Sequence, residues 1–83
     1  MYYVYVLKLW EGTSRKYYIG YTEDLRLRLL QHQHGETQTT RNKNPELIYY
    51  EAYQTKYLAL EREKNIKKSG SVYMALMKRI RER

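Results

Sequence analysis

The chain has 83 residues, no cysteine, and a formal net charge of +7 from 16 Lys and Arg against 9 Asp and Glu. This length predicts one domain with a small core. Without cysteine the chain cannot form disulfides or thiolate metal sites, so nothing argues for secretion and a reducing compartment is the simpler assumption. No apolar stretch approaches the roughly 20 residues that a membrane helix needs, so we expect a soluble, cytoplasmic protein with no membrane partner.

The positive charge is concentrated near the end of the chain. Residues 62–83 carry eight basic and two acidic side chains. Such a surface attracts polyanions, and nucleic acid is the commonest polyanion in a cell. Of the two nucleic acids, we expect DNA rather than RNA to be the partner. Anionic lipid, or simply the solvated faces of helices, would fit the same charge. The 11 tyrosines and the absence of phenylalanine favour nucleic acid, because a phenol both stacks and forms hydrogen bonds.

The first half of the chain predicts a β-hairpin followed by a helix. Residues that favour β-structure alternate over 2–8 and recur over 16–21, with a turn-forming segment at 11–14 between them. Thr22 is the expected N-cap of the helix that follows, and Gly35 marks its end. The apolar face of this helix consists of Leu25, Leu29 and Leu30.

The second half predicts a loop, a third strand and two helices. Residues 36–45 are polar and form the loop, and 46–53 contain the strongest β-forming run of this half. A helix capped by Thr55 precedes Ser69-Gly70-Ser71, and an amphipathic helix that ends near Arg81 follows it. The order β-β-α-β-α-α predicts an α+β fold, a small three-stranded antiparallel sheet flanked by helices.

Four short motifs follow one another along these elements. They are Tyr3-Val4-Tyr5, Tyr18-Ile19-Gly20, Asp24-Leu25-x-x-Arg28-Leu29-x-x-His32 and Ala59-Leu60-x-x-Glu63-x-x-Ile66-Lys67. A Tyr-Ile-Gly triplet often occurs by chance, but the four motifs in order resemble the GIY-YIG nuclease domain. The resemblance covers nearly the whole chain and is closest to small stand-alone bacterial members, related to the catalytic domain of the excision-repair nuclease. It implies a single nuclease domain over residues 1–83.

The strand pattern brings two phenols toward one site. Successive strand residues point to opposite faces, so Tyr5 and Val4 lie on different faces, of which one packs and the other can react. In a paired hairpin Ile19 joins the core, Tyr18 emerges near Tyr5, and Gly20 lets a backbone or a phosphate approach closely. The alternative is that both tyrosines merely cover a hydrophobic sheet face.

Arg28 and His32 are four residues apart on the first predicted helix and therefore share a face. The guanidinium of Arg28 suits a phosphate whose charge builds up in the transition state, whereas Arg26 points elsewhere. A surface ion pair of Arg28 with Asp24 is the alternative. His32 can hydrogen-bond a tyrosine hydroxyl or a phosphate, or simply lie near a helix end.

Two glutamates of the second predicted helix compete for a metal-binding role. Glu63 shares a face with Ala59 and Ile66, and this face is expected to contact the sheet. A carboxylate at the edge of an apolar face is costly unless a cation compensates it. Glu61 is expected to be exposed, and an ion pair with Lys67 is the simpler alternative for Glu63.

The resemblance implies phosphodiester hydrolysis by an activated water, with Mg²⁺ or Mn²⁺ held by Glu63. In this mechanism Tyr5 is the general base or positions the water, Tyr18 binds the metal-bound water or the phosphate, and Arg28 stabilises the developing charge. His32 completes the catalytic set. A free tyrosine has a pKa of about 10, so a basic role for Tyr5 needs nearby cations that lower the pKa.

The sequence departs from the family pattern in two places. The first triplet lacks its glycine, and Tyr21 stands where the repair nuclease has a lysine that can activate a phenol. Lys8, Lys16 or His32 are the candidates to replace that lysine. No C-terminal asparagine ligand, which some members carry, is identifiable.

Three classes of function remain. The favoured one is a metal-dependent endonuclease that cleaves DNA with low sequence specificity, in repair or recombination. The second is a catalytically silent nucleic-acid-binding module, and the third is a basic protein that docks on another protein or a membrane. The first two predict an affinity for nucleic acid that falls steeply with salt, and the third does not. A monomer or a weak homodimer is expected.

Overall fold

Three strands and three α-helices make up the part of the chain that the computed structural model describes, residues 1–81. In chain order they are β1 (Tyr2–Glu11), β2 (Ser14–Thr22), α1 (Leu25–Gln33), a short 3₁₀ helix (Gln38–Thr40), β3 (Glu46–Tyr53), α2 (Lys56–Lys68) and α3 (Gly70–Arg81). The predicted α+β class and the order of the elements are confirmed. The last two residues of the basic segment, Glu82 and Arg83, lie outside the described residues.

The strands form one antiparallel sheet in the order β2-β1-β3, so that β1 is central. Gly12, in the two-residue turn between β1 and β2, has a φ of +65°, which glycine adopts without a steric penalty. The resulting register places Tyr5 opposite Gly20 and Val6 opposite Ile19. This register determines which side chains of the two strands meet.

Helices cover both faces of the sheet. On one face α2 and α3 pack on a core that contains Val4, Val6, Ile19, Ala59, Ile66, Leu76 and Met77. On the other face α1 lies against a second core formed by Tyr5, Leu7 and Leu9, to which it contributes Leu25 and Leu29. The expectation of one packed and one open face is therefore wrong at Tyr5, which is only 1% exposed.

The start of α1 differs from the prediction. Asp24, not Thr22, is the N-cap, because the Asp24 carboxylate accepts a hydrogen bond from the backbone N–H of Leu27 at 3.0 Å. Thr22 is the last residue of β2, and its hydroxyl accepts a hydrogen bond from the N–H of Asp24 at 3.1 Å. Leu30 was expected on the apolar face of α1, but it is 44% exposed.

The later boundaries agree with the sequence pattern. Thr55 caps α2 by accepting a hydrogen bond from Leu58 N at 3.2 Å, and Gly35 follows α1 with a φ of +74°. The segment expected to be a loop contains the 3₁₀ helix but no longer element. Within residues 1–81, every helix is too short or too polar to cross a bilayer.

Candidate active site

A chain of hydrogen bonds links β1 to α1 and to the polar loop. Tyr5 Oη lies 2.9 Å from His32 Nε2, and His32 Nδ1 lies 2.7 Å from Thr40 Oγ1. The Thr40 hydroxyl donates to the carbonyl of Thr37 at 3.5 Å, so it accepts a hydrogen bond from the N–H at Nδ1. His32 Nε2 is then the acceptor for the hydroxyl proton of Tyr5. All three linked side chains are buried.

The ring of Tyr5 lies directly over Gly20. A Cβ atom at residue 20 would be 2.4 Å from both Cζ and Oη of Tyr5, far inside van der Waals contact. The space that was expected to admit a backbone or a phosphate is therefore filled by this ring. Tyr18 lies beside it, with its ring centroid 6.3 Å from that of Tyr5 and 5.4 Å from that of His32. The two phenols and the imidazole form one aromatic cluster.

Arg28 lies on α1, one turn before His32, and its guanidinium is close to the hydroxyl of Tyr5. Burial, followed by the neighbouring Tyr18, raises the pKa of Tyr5 well above its ordinary value, and the Arg28 guanidinium lowers that pKa by less. Tyr5 is therefore a neutral phenol at pH 7. Asp24, the alternative partner of Arg28, is engaged as the N-cap of α1.

His32 is neutral for a related reason. Burial lowers the pKa of His32, and the positive charge of Arg28 lowers it further. A neutral imidazole can accept a proton at Nε2, which is the atom that faces the Tyr5 hydroxyl. The site thus pairs a neutral acid with a neutral base.

Glu63 belongs to α2, which packs on the opposite face of the sheet from α1. Its side chain is 20% exposed, and its Oε2 lies 3.2 Å from Lys67 Nζ, so the ion pair considered as the alternative is present. The charge of Glu63 also raises the pKa of Tyr5. Its effect is smaller than the effects of burial, Tyr18 and Arg28. Glu61 is partly buried rather than exposed.

The carboxylate of Glu63 is a type of ligand that suits a hard divalent cation. Carboxylate and hydroxyl oxygens are ligands that Mg²⁺ and Mn²⁺ accept, and Mg²⁺ typically retains several waters. The Tyr21 hydroxyl is buried without a hydrogen-bond partner among residues 1–81, and its raised pKa reflects burial first and, as a smaller effect, Glu63. In the same residues no group of three or more His, Cys, Asp or Glu is arranged to hold a metal. A cation here would depend on Glu63, water and substrate oxygens.

The three candidates for the missing lysine occupy different places. His32 contacts Tyr5 directly, as described above. Lys8 and Lys16 each form an ion pair with a glutamate, at 3.2 Å and 3.3 Å, at the end of the sheet that carries the hairpin turn. Tyr21, which replaces the lysine in the sequence, packs with the core on the α2 side of the sheet. His32 is therefore the candidate that the structure brings to the phenol.

Two groups of residues around the site were not anticipated. One is Thr40, whose polar loop offers no pattern that would single it out. The other is Glu51, which accepts hydrogen bonds from the hydroxyls of Tyr49 and Tyr53, both at 2.6 Å, and from Arg62 at 2.9 and 3.0 Å. The alternation of Tyr49, Glu51 and Tyr53 along β3 was the available signal, since alternate strand residues share a face.

The cluster of Glu51 with Tyr49, Tyr53 and Arg62 joins β3 to α2, because Arg62 belongs to α2 and directly precedes Glu63. Burial acts to raise the pKa of Glu51, but the hydrogen bonds from Arg62 and the two tyrosines outweigh it, so the pKa is lowered. Burial, then the hydrogen bond to Glu51, raises the pKa of Tyr53 to about 12. The partly buried carboxylate is ionised and accepts hydrogen bonds from three side chains, which join α2 to the sheet.

Comparison with known proteins places the chain in a nuclease family. Residues 1–76 match the model of the GIY-YIG catalytic domain, and the chain belongs to this family. It is 39% identical over 67 residues to the UPF0213 protein of Staphylococcus epidermidis, covering 78% of each chain. It is 42% identical to the UPF0213 protein of Bacillus pumilus, covering 78% of this chain and 65% of the relative. No solved structure matches the chain significantly.

Proposed function

We propose that this protein is a metal-dependent endonuclease that hydrolyses phosphodiester bonds in DNA with low sequence specificity, in repair or recombination. The observation that carries the proposal is the hydrogen bond of Tyr5 with His32 beside Arg28 on one side of the sheet, while Glu63 on the other side is near enough for its charge to raise the pKa of Tyr5. The net charge of +7 favours a polyanionic substrate. We further propose that it acts in the cytoplasm, which suits a cysteine-free chain.

The exposure of each side chain indicates which part of the reaction it can perform. Tyr5 is buried, so contact with the bulky phosphate falls to Arg28 and Tyr18, which are partly exposed. Arg28 binds the phosphate and stabilises the negative charge that develops on it. The Tyr5 hydroxyl accepts a proton from the attacking water while its own proton moves to His32 Nε2, so the positive charge ends on the imidazole. Thr40 holds His32 in the tautomer that can accept this proton.

Glu63, water and substrate oxygens would hold Mg²⁺ or Mn²⁺. When bound, the cation supplies Lewis-acid polarisation of the phosphate and lowers the pKa of a coordinated water. Lys67 holds the Glu63 carboxylate in place through Oε2.

A catalytically silent nucleic-acid-binding module is the second candidate. Two observations favour it: the pKa of Tyr5 is raised rather than lowered, and the Glu63 carboxylate is already paired with Lys67. Both oppose catalysis, since the first keeps the phenol protonated at neutral pH and the second competes for a cation. Both functions predict DNA affinity that falls with salt, but only the endonuclease cleaves.

The test is cleavage of labelled supercoiled, linear, flapped and single-stranded DNA with Mg²⁺ or Mn²⁺, by the wild type, Glu63→Gln and Glu61→Gln. Glu61 is the matched control, because it lies two residues away on the same helix. We expect Glu63→Gln to lose about 100-fold or more of the rate and Glu61→Gln to cut like the wild type. Equal cutting by all three would contradict the proposed site. Salt-sensitive binding without cutting would leave the silent module.

A further inference from the structure

A groove lined with aromatic side chains opens beside the candidate active site, between β2 and the junction of α2 and α3. Its volume is about 450 Å³, within the range of about 300–1,000 Å³ that is usual for small-ligand pockets. Tyr17, Tyr18 and Tyr73 line it together with Lys67 and Ser69, whereas the ring of Tyr18 packs with those of Tyr5 and His32 on the α1 side of the sheet. The groove is therefore large enough for one planar ring system.

Two residues belong both to this groove and to the candidate active site. Tyr18 lines the groove, and its ring is 5.4 Å from that of His32. Lys67 also lines the groove and is paired with Glu63. A substrate whose phosphate lies between Arg28 and Glu63 would therefore place a neighbouring nucleotide at the mouth of the groove.

The lining of the groove favours a flat aromatic ring over a phosphate. Tyr17, Tyr73, Ile19 and Ile66, which share the α2 and α3 side of the sheet, make its surface largely apolar, and Lys67 is already paired with Glu63. Aromatic faces stack on nucleobases with little regard to base identity. Tyr17 and Tyr73 also pack against the core, so their rings are held in position before any ligand binds.

A larger groove, of about 510 Å³, lies between α1 and β3 but is less suited to a nucleic acid. It contains Tyr3 and Tyr50, whose ring centroids are 6.1 Å apart in an edge-to-face arrangement. Two acidic residues, Glu23 and Asp24, line it against one basic residue, Arg26, so its charge is less favourable to a phosphate backbone. It provides a natural comparison for the groove beside Tyr18.

We infer that the groove lined by Tyr17, Tyr18 and Tyr73 binds one nucleobase of the nucleotide next to the cleaved phosphate. The inference rests on the proposed function, whose substrate it would hold. A base in this groove has left the stack of its neighbours, and its binding depends on ring stacking rather than on a particular hydrogen-bond pattern. The groove thus adds affinity without sequence specificity.

The test compares two labelled single strands of equal length, one of thymidine nucleotides and one with abasic sugars throughout. Fluorescence anisotropy without divalent metal gives both dissociation constants for each variant, so binding is measured apart from cleavage. We expect the wild type to prefer the base-bearing strand by about fivefold or more, since stacking contributes that much per base. Tyr73→Leu should lose most of this preference, and Tyr73→Phe should keep it.

Tyr50→Leu is the matched control, because it removes a tyrosine from the larger groove. It should keep the wild-type preference, and thermal unfolding shows whether each variant is folded. Tyr17→Leu decides the question if Tyr73→Leu does not fold. The inference is overturned if the wild type has no preference, if the folded groove variants keep the preference, or if Tyr50→Leu loses it to the same extent as they do.

These binding measurements, taken together with the cleavage assay on wild type and Glu63→Gln, separate the two proposals. A preference that depends on Tyr73, without any cleavage, supports the groove and contradicts the nuclease. Cleavage that depends on Glu63, without a preference for bases, supports the nuclease and contradicts the groove. The absence of binding to either strand would contradict both.

Discussion

Arg28 and Arg26 are two residues apart on α1, yet their surroundings differ. Arg28 is partly buried and acts on Tyr5, whereas Arg26 is exposed and lines the groove between α1 and β3. We expect Arg28→Met to lower kcat for DNA cleavage by about 100- to 1,000-fold, because a donor aimed at the transition-state charge is lost. Arg26→Met removes the same charge and should leave kcat nearly unchanged. Steady-state kinetics on one DNA substrate would reveal equal losses if overall charge alone mattered.

The burial of His32 predicts a fold that is sensitive to acid. The pKa of His32 in the folded protein is lowered from 6.5 by burial and by Arg28, so the unfolded chain binds the proton first as the pH falls. The stability that this group contributes is present above 6.5 and is lost as the pH falls toward the lower, folded-state pKa. His32→Gln should therefore lose less stability than the wild type between about pH 7 and about pH 5.

Urea unfolding over this pH range measures the effect. His34 is exposed and remains in both proteins, so it serves as an internal control. An equal loss of stability in both proteins would show that carboxylates, rather than His32, cause the acid sensitivity.

Sequence reasoning locates the residues of the site better than it describes their environment. The approach of Tyr18 to Tyr5 follows from strand alternation and pairing, and the separation of Arg28 from Arg26 follows from helical periodicity. The burial of Tyr5 does not follow, because it depends on α1 folding over that face of the sheet. A phenol whose role needed a lowered pKa consequently has a raised one.

At the level of the elements, the packing of β1 against β2 depends on Gly20. Gly20→Ala should destabilise the protein by about 1–3 kcal/mol, because the new methyl group overlaps the Tyr5 ring, which His32 and the core hold in place. The same substitution should cost much less in a Tyr5→Leu background, where the overlapping ring atoms are gone. Chemical denaturation of the four proteins of this cycle measures the coupling. Additive effects would mean that the overlap is relieved by a backbone shift instead.

Element boundaries follow from the sequence where local signals determine them. Thr55 caps α2 as predicted, and Ser69 alone separates α2 from α3, so that Gly70 is the first residue of α3. The start of α1 does not follow, because Thr22 and Asp24 are both good N-caps. Pairing of Thr22 with Tyr3 extends β2 to that residue, so tertiary structure moves the cap to Asp24.

At the level of the whole molecule, the basic side chains are not equivalent. Lys16 is paired with Glu11, whereas Lys68 is exposed near the end of α2, beside the groove lined by Tyr73. We expect Lys68→Gln to make the plot of log affinity for DNA against log salt shallower by about 1, the value for one lost phosphate contact. Lys16→Gln should leave the slope unchanged. Anisotropy titrations at several salt concentrations would contradict this if both substitutions had the same effect.

The candidate site is divided between the two layers of helices that enclose the sheet. Arg28 and His32 belong to α1 on one face, and Glu63 belongs to α2 on the other. A DNA strand bound by residues of both layers would connect them across the edge of the sheet. Its binding free energy would add to the stability of the fold, because only the folded protein binds it. The heat tolerance of this protein would then rise and fall with the supply of its substrate.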